Sequence, residues 1–191
     1  LMQIHIYKDT QAIGAAAAAL FAAQVIQKPT SVLGLATGST PIPAYAKMAE
    51  LYACGAVDYS SVTTYNLDEY VGLDHSHPQS YYSFMMEHLF SHINVPAGSI
   101  HVLSGTAPDP EAECAAYEKA IEAAGGIDLQ ILGIGRNGHI AFNEPDTSFA
   151  PATHVANLTQ STIEANTRFF SCSDEVPRQA LTMGIGSIMK A

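Results

Sequence analysis

Short apolar segments alternate with helical segments along most of this chain, and this alternation limits the fold more than any other feature. Residues 32–36 form a continuous run without polar side chains, and residues 127–134 are mostly apolar, which is typical of strands that are buried on both faces. Parallel strands have this character because helices cover both sides of their sheet. The sequence therefore predicts an α/β fold with a doubly wound, mostly parallel, Rossmann-like sheet flanked by helices.

The other elements continue the alternation. Helices are predicted at residues 10–28, 41–54, 78–90 and 110–125, and further strands at residues 3–7, 62–67 and 100–103. Beyond residue 149 the pattern is less regular, with predicted strands at residues 153–158 and 178–183 and a helix at residues 161–168. No Gly/Ser-rich linker interrupts the pattern, so residues 1–191 are predicted to form one domain.

Charge and cysteine content exclude several classes of function. Eighteen acidic residues against eight Lys and Arg give a net charge of −10, which disfavours nucleic acid and anionic membranes as partners. The three cysteines are far apart and odd in number, so neither a disulfide framework nor a zinc knuckle is expected. No uncharged apolar stretch of about 18 residues and no export signal was found, so we expect a cytoplasmic protein.

The first candidate site is a loop of small residues between a predicted strand and a predicted helix. It consists of Thr37, Gly38, Ser39 and Thr40, and Pro41 follows. Small side chains let backbone N–H groups approach an anion, and the helix start adds a partial positive charge. An ordinary helix N-cap is the alternative, and no G-K-[ST] follows as in a Walker loop. The loop predicts a phosphate site without naming the ligand.

The second candidate is the acidic pair Asp68 and Glu69, at the end of the strand predicted for residues 62–67. Ligands of doubly wound sheets bind at the carboxyl ends of strands, where a carboxylate could accept a proton from carbon. Neighbouring side chains of an extended chain point to opposite sides, so only one of the two can face a pocket. A solvated acidic turn is the alternative.

The third candidate is the glycine-rich loop that follows the apolar run at residues 127–134. It carries His139 and, five residues later, Glu144. A histidine can donate and accept protons near neutral pH, and a carboxylate partner can fix its tautomer. The alternative is a structural turn in which the histidine caps local carbonyl groups.

Together these segments resemble the glucosamine-6-phosphate deaminase family over nearly the whole chain. The motifs are L-A-T-G-S-T-P from Leu35, N-L-D-E-Y-V-G-L from Asn66, G-H-I-A-F-N-E-P from Gly138 and N-T-R-F-F from Asn166, in the family's order and spacing. The resemblance implies an aldose-ketose isomerisation with deamination in amino-sugar catabolism. Glucosamine 6-phosphate and water would become fructose 6-phosphate and ammonia, without metal or cofactor.

The resemblance also implies roles for individual residues. Asp68 matches the base that moves a proton between C2 and C1, and His139 matches the group that opens the sugar ring. Asn137 and Glu144 match the residues beside that histidine. Some family members have aspartate where this chain has Asn137, so we expect Glu144 to be the only carboxylate partner of His139. The phosphate-binding residues implied are Thr37, Gly38, Ser39, Thr40 and Arg168.

The resemblance further implies that a C-terminal part of the family, with one more phosphate-binding lysine, is missing after Ala191. Two other functions stay open at this point: a regulatory module that binds a sugar phosphate, and a hydrolase similar to 6-phosphogluconolactonase. The expected partner is a small amino-sugar phosphate. The sequence leaves open whether the chain forms a homo-oligomer.

Overall fold

The computed structural model describes residues 2–135, 137–167, 170 and 175–191. The strands are β1 (Val32–Leu35), β2 (Thr63–Asn66), β3 (Asp68–Tyr70), β4 (Ile100–His101), β5 (Leu129–Gln130), β6 (His154–Asn157) and β7 (Gln179–Thr182). The α-helices are α1 (Thr10–Gln27), α2 (Ile42–Ala53), α3 (Tyr81–His88), α4 (Pro110–Ala123), α5 (Gln160–Asn166) and α6 (Ile185–Ile188).

A four-stranded parallel sheet lies at the centre, in the order β4-β2-β1-β5. In β1, Leu33 pairs with Thr64 of β2 on one side and with Leu129 of β5 on the other. Because all four strands run in one direction, their carboxyl ends lie along the same edge. The predicted parallel sheet is confirmed.

Helices cover both faces of this sheet, as the apolar runs predicted. Leu33 and Leu35 of β1 pack on one face into a core built with α1, α2 and α3. Val32, at the start of β1, and Ala36, just after it, pack into a second core with α4, β7 and α6. Successive side chains thus enter opposite cores, which explains why β1 contains no polar residue.

A second, antiparallel sheet in the order β3-β7-β6 was not predicted. Asp68 of β3 pairs with Thr182 of β7, and His154 of β6 pairs with the same threonine from the other side. The strands β6 and β7 lie where residues 153–158 and 178–183 were predicted. The strand β3 was missed because it begins only two residues after β2 ends.

Several predicted elements are shorter in the structure or absent from it, β4 for example ending at His101 rather than at residue 103. Residues 3–7 form no strand and are exposed, although their side chains alternate as in a strand. The strand β5 covers only Leu129–Gln130 of residues 127–134, and among the described residues it pairs only with β1. The helix α3 begins at Tyr81 rather than at residue 78. In residues 3–7 and 127–134 the side-chain pattern suits a strand, but strand structure also requires a neighbouring backbone to pair with.

The helix α1 meets the length and composition of a membrane span, contrary to our expectation. One such helix is weak evidence, because core helices of other proteins pass the same test. In this structure Ala18, Phe21 and Val25 of α1 are buried in the core that it shares with α2. Only 28% of this apolar window is buried, however, and Leu20 and Ile26 of α1 are exposed.

We predict that Gly14→Ala destabilises the protein. An added Cβ would lie 2.6 Å from Cβ of Pro43 and 2.9 Å from the backbone nitrogen of Ala44, where α1 approaches α2. The crowding should cost about 1–3 kcal/mol, more than the gain of up to ~1 kcal/mol in helix propensity. Urea unfolding measures the difference. Gly98→Ala, with no atom within 4 Å of the new Cβ, is the control and should stay within about 0.5 kcal/mol of the wild type.

Candidate active site

All three candidate loops meet at one cavity of about 590 Å³ at the carboxyl edge of the parallel sheet. The loop that bears Thr37 and Gly38 follows β1, Leu67 and Asp68 follow β2, and the glycine-rich loop that bears His139 follows β5. The residues that line the cavity are Ala36, Thr37, Gly38, Leu67, Asp68, Tyr81, Gly133, Ile134, Gly135, Asn137, His139, Ala141, Phe142, Thr162 and Asn166. Its volume is in the range of sites for small molecules.

The loop after β1 is held from beneath by α2. The hydroxyl of Tyr45 accepts a hydrogen bond from the backbone N–H of Ala36 and donates one to its carbonyl. Thr37 and Gly38 line the cavity, and the φ of Gly38 is +100°, which favours glycine. Ser39 and Thr40 are exposed in the same loop and are not among the described residues that line the cavity.

Asp68 lies in the wall of the cavity and is only 7% exposed. Burial, and after it the charge of the adjacent Glu69, raises the pKa of the Asp68 carboxyl to about 8. Glu69 points away from the cavity, as the alternation of side chains along an extended chain requires. The expectation that only one carboxylate faces the pocket is confirmed. Such a carboxyl group can accept or return a proton near neutral pH.

His139 is connected to Glu144 through an amide. Oδ1 of Asn137 lies 2.6 Å from Nδ1 of His139. Nδ2 of the same asparagine donates a hydrogen bond to Oε2 of Glu144 at 2.6 Å. The predicted hydrogen bond between Asn137 and His139 is therefore confirmed. The expected direct partnership of His139 and Glu144 is replaced by an indirect one, since Asn137 lies between them.

This order fixes the tautomer of His139. An ionised carboxylate only accepts hydrogen bonds, so Asn137 must turn its NH₂ group toward Glu144. Its oxygen then faces the imidazole and accepts the proton of Nδ1. The other ring nitrogen, Nε2, is left with a free lone pair. In its neutral form this histidine can therefore accept a proton at Nε2.

Further contacts hold Glu144 and the loop around it. Oε1 of Glu144 accepts hydrogen bonds from the hydroxyl groups of Thr159 and Thr162, at the start of α5. The buried Asn143 donates to the carbonyl of Met183 at 2.8 Å, next to β7. Ala141 has a φ of 51°, a left-handed conformation that is costly for alanine. The second sheet thus holds the loop in a strained conformation beside the cavity.

Two aromatic residues of the cavity were not predicted as site residues. Tyr81 lies in the helix predicted at residues 78–90, among aromatic and apolar residues typical of a core-facing helix, and it lines the cavity beside Phe142. Their rings are stacked at an interplanar angle of 2° with centroids 6.3 Å apart, and Tyr70 contacts both. Aromatic residues at helical spacing look the same in sequence whether they face a core or a cavity. Arg168, the predicted phosphate-binding arginine, lies outside the described residues.

Within the described ranges, no group of three or more His, Cys, Asp and Glu side chains is arranged to hold a metal ion. His75, which lies in a His-x-His sequence, is stacked on Tyr82 with ring centroids 4.3 Å apart. Its Nε2 is 3.3 Å from the carbonyl oxygen of Leu103. This histidine therefore has a structural role in the loop before α3.

The fold and the cavity together define an α/β enzyme with acid–base groups at the carboxyl edge of a parallel sheet. Residues 8–187 match the family of glucosamine-6-phosphate isomerases and 6-phosphogluconolactonases, and the chain belongs to this family. It is 54% identical over its full length to glucosamine-6-phosphate deaminase of Thermoanaerobacter sp. (strain X514), of which it covers 75%. The deaminase of Lachnoclostridium phytofermentans is 58% identical over 92% of this chain and 74% of that relative.

Solved structures agree with this assignment. A monomeric glucosamine-6-phosphate deaminase superimposes with a TM-score of 0.96 at 42% identity, over 100% of this chain and 79% of that protein. The 6-phosphogluconolactonase of Trypanosoma brucei has a TM-score of 0.78 but only 18% identity, over 100% of this chain and 79% of that one. The second likeness shows a common fold only. The chain spans about three quarters of the length of these relatives.

We predict that Gly135→Ala displaces the ring of His139. An added Cβ would lie 2.2 Å from Cε1 and 2.3 Å from Nε2 of that ring, so the imidazole must turn away and leave Asn137. Nitrogen-15 NMR of the imidazole should then show loss of the single Nδ1-protonated tautomer. Gly133→Ala, in the same loop with no atom within 4 Å of the new Cβ, is the matched control. An unchanged imidazole spectrum in Gly135→Ala would contradict the geometry.

Proposed function

We propose that this chain is a glucosamine-6-phosphate deaminase, converting glucosamine 6-phosphate and water into fructose 6-phosphate and ammonia. The observation that carries the proposal is one cavity with a buried carboxylate, Asp68, on one wall and the His139–Asn137–Glu144 series on another. An isomerisation that first opens a ring and then moves a proton between carbons needs two acid–base groups with separate tasks. The identity of 54% with a deaminase supports the same substrate.

We assign the phosphate of the substrate to the loop after β1. Backbone N–H groups near a helix start attract an anion, and Thr37 and Gly38 already face the cavity. Ser39 and Thr40 would add hydroxyl groups from the same loop, and Arg168 would add a planar, charged donor. A phosphate held here would place the sugar between Asp68 and His139.

Ring opening is assigned to His139. Its Nε2 would take the proton of the C1 hydroxyl and return a proton to the ring oxygen, which breaks the bond between C1 and that oxygen. Asn137 would keep the ring of the histidine in one orientation throughout, and Glu144 would stabilise the positive charge that the imidazole acquires. The product of this step is the open-chain aldehyde.

Proton transfer and deamination are assigned to Asp68. Its carboxylate would remove the proton from C2, giving an enolamine, and would return that proton to C1. The C2–N bond then has the character of an imine, which water attacks at C2. Cleavage of the C–N bond releases ammonia and leaves the C2 ketone of fructose 6-phosphate. One water is consumed for each ammonia released, so the complete reaction is an isomerisation combined with a hydrolytic deamination, which makes the protein a hydrolase in the broad sense.

Each step uses side chains of the protein and water, so we propose no metal and no cofactor. We further propose that residues 1–191 act as one domain, in amino-sugar catabolism in the cytoplasm. A phosphate ester is charged and crosses bilayers poorly, so an enzyme that consumes it belongs in the compartment where it is formed. We propose no nucleic-acid and no membrane partner, in line with the net charge of −10.

Coupled measurement of ammonia release from glucosamine 6-phosphate tests this function directly. Release of ammonia together with fructose 6-phosphate in equal amounts is the expected result. A regulatory module would bind the sugar phosphate without releasing ammonia, and a lactonase would open a lactone ring instead. Either outcome would replace the proposal.

We predict that Asp68→Asn lowers kcat by roughly 10²- to 10⁴-fold, because the amide cannot accept the C2 proton. KM should change little, since the phosphate loop is intact. The matched control is Asp74→Asn, at an exposed position in the loop after β3, which should retain the activity of the wild type. Turnover by Asp68→Asn within a few-fold of the wild type would exclude Asp68 as the base.

The same variant should be more stable than the wild type above neutral pH. Burial raises the folded-state pKa of Asp68 to about 8, from an ordinary value of 3.8, so folding favours the protonated form. Protonated Asp68 therefore contributes to the free energy of unfolding. This contribution is fully present below the unfolded-state pKa of the carboxyl and is lost as the pH rises through about 8. At pH 9 the asparagine avoids a buried charge, and urea unfolding should show a gain on the order of a few kcal/mol. A less stable variant at pH 9 would contradict this.

The pH dependence of kcat/KM should have an acid limb near the pKa of Asp68. Only the ionised carboxylate accepts a proton, so kcat/KM should fall as the pH decreases through about 8. An acid limb near pH 4, the ordinary range of aspartate, would show that Asp68 is not the group that titrates. The measurement needs only initial rates of ammonia release between pH 4 and pH 9.5 at low substrate concentration.

A further inference from the structure

Glu69 is fully buried, although it does not line the cavity and the proposed reaction does not use it. Its carboxylate accepts three backbone hydrogen bonds. Oε1 accepts from Tyr70 at 2.8 Å and from Tyr81 at 3.0 Å, and Oε2 accepts from Tyr82 at 3.1 Å. Burial, the larger effect, raises the pKa of the Glu69 carboxyl, while the three donors act in the opposite direction and favour its ionised form.

Two of these donors are the first residues of α3. Ser80, the N-cap, satisfies another N–H group of the first turn by accepting from Ser83. Glu69 supplies acceptors for Tyr81 and Tyr82 from a strand that is distant from α3 in the sequence. A negative charge at this end of a helix is also favoured by the helix dipole. The carboxylate thus fastens the start of α3 to β3.

The start of α3 carries a wall of the cavity. Tyr81 is the first residue of α3, and its N–H group donates to Glu69. Its ring is stacked on Phe142 of the glycine-rich loop. Asp68 is the neighbour of Glu69 in β3 and faces the same cavity. One side chain therefore fixes the position of the proposed base, Asp68, relative to the aromatic wall that Tyr81 forms with Phe142.

We propose that Glu69 is a positioning residue, which clamps α3 to β3 so that Asp68 and Tyr81 keep a fixed geometry around the substrate. The inference rests on the proposed deaminase function and deepens it. Its charge has a second effect, because a buried negative charge next to Asp68 opposes ionisation of that carboxyl. The other titratable groups near this pair are Tyr45, Tyr70, His75, Tyr81 and Tyr117.

Two substitutions separate the clamp from the charge. Glu69→Asp keeps the charge but is one methylene shorter, so it cannot reach α3. We expect kcat to fall by ~10- to 10²-fold, the effect of a misplacement of about 1 Å, with little change in the acid limb of kcat/KM. Glu69→Gln removes the charge and turns an NH₂ group toward backbone donors. It should lower kcat as well, and it should also move the acid limb to lower pH, by on the order of one unit.

The control is Glu87→Gln, the same chemical change at an exposed position near the other end of α3. It should leave kcat and the acid limb unchanged. A merely structural role of Glu69 would reduce the amount of folded enzyme but would not move the pH profile of the enzyme that remains. Equal kcat and an equal acid limb in the wild type and both Glu69 variants would overturn the proposal.

A measurement without turnover keeps this inference separate from the proposed function. Carbon-13 NMR of labelled aspartate, with the Asp68 signal assigned through Asp68→Asn, gives the titration of that carboxyl directly. A lower pKa of Asp68 in Glu69→Gln, but not in Glu87→Gln, supports the inference even if the wild type releases no ammonia. An unchanged titration overturns the proposed effect of the Glu69 charge on Asp68 even if the wild type is an active deaminase.

If neither Glu69 variant folds, Ser80→Ala tests the same clamp from the helix side. It removes the hydroxyl that accepts from Ser83 and donates to the carbonyl of His75, and it leaves Glu69 in place. We expect kcat to fall several-fold while KM changes less, because the first turn of α3 loosens. A kcat equal to that of the wild type would overturn the proposal.

Discussion

The chain leaves the parallel sheet at Leu67, and the site depends on that change of direction. The N–H group of Leu67 donates to Leu35 of β1, and its carbonyl accepts from Met183, which follows β7. This residue is therefore the last in register with the parallel sheet, and the next residue already pairs within the antiparallel one. The bend brings Asp68 to the cavity and lets β7 support the glycine-rich loop that carries His139. Without it, a carboxylate at this position would simply continue β2.

The two adjacent carboxylates have opposite environments, although both are buried. Glu69 accepts three backbone hydrogen bonds that offset part of its desolvation, although burial still raises the pKa of its carboxyl, whereas Asp68 faces a cavity beside the Glu69 carboxyl. Protein interiors disfavour an uncompensated charge, so the ionised form of Asp68 destabilises the fold. The same property is useful in a base, because a raised pKa makes proton transfer from carbon less unfavourable. Stability and reactivity at this position are therefore in conflict.

The pattern of apolar residues was sufficient to predict the parallel sheet, since strands such as β1 are apolar on both faces whatever their order in the sheet. It was not sufficient where structure depends on backbone pairing between distant segments. Residues 3–7 have the alternation of a strand without a neighbour, and the short β3 is defined only by its pairing with β7. A three-residue strand has too few side chains to show a period. Registers of this kind come from tertiary contacts that no local pattern contains.

The same distinction holds for the site. The loops that bear Thr37, Asp68 and His139 were predicted because chemistry-bearing residues followed recognisable strands, and they do share one cavity. The connection between His139 and Glu144 through Asn137 was not predicted, because residue type alone does not give the order of hydrogen bonds. That order has a chemical consequence. The amide between the two groups fixes the orientation of the imidazole, and Glu144 in turn fixes which way Asn137 points. The carboxylate thus determines the tautomer of a histidine that it does not touch.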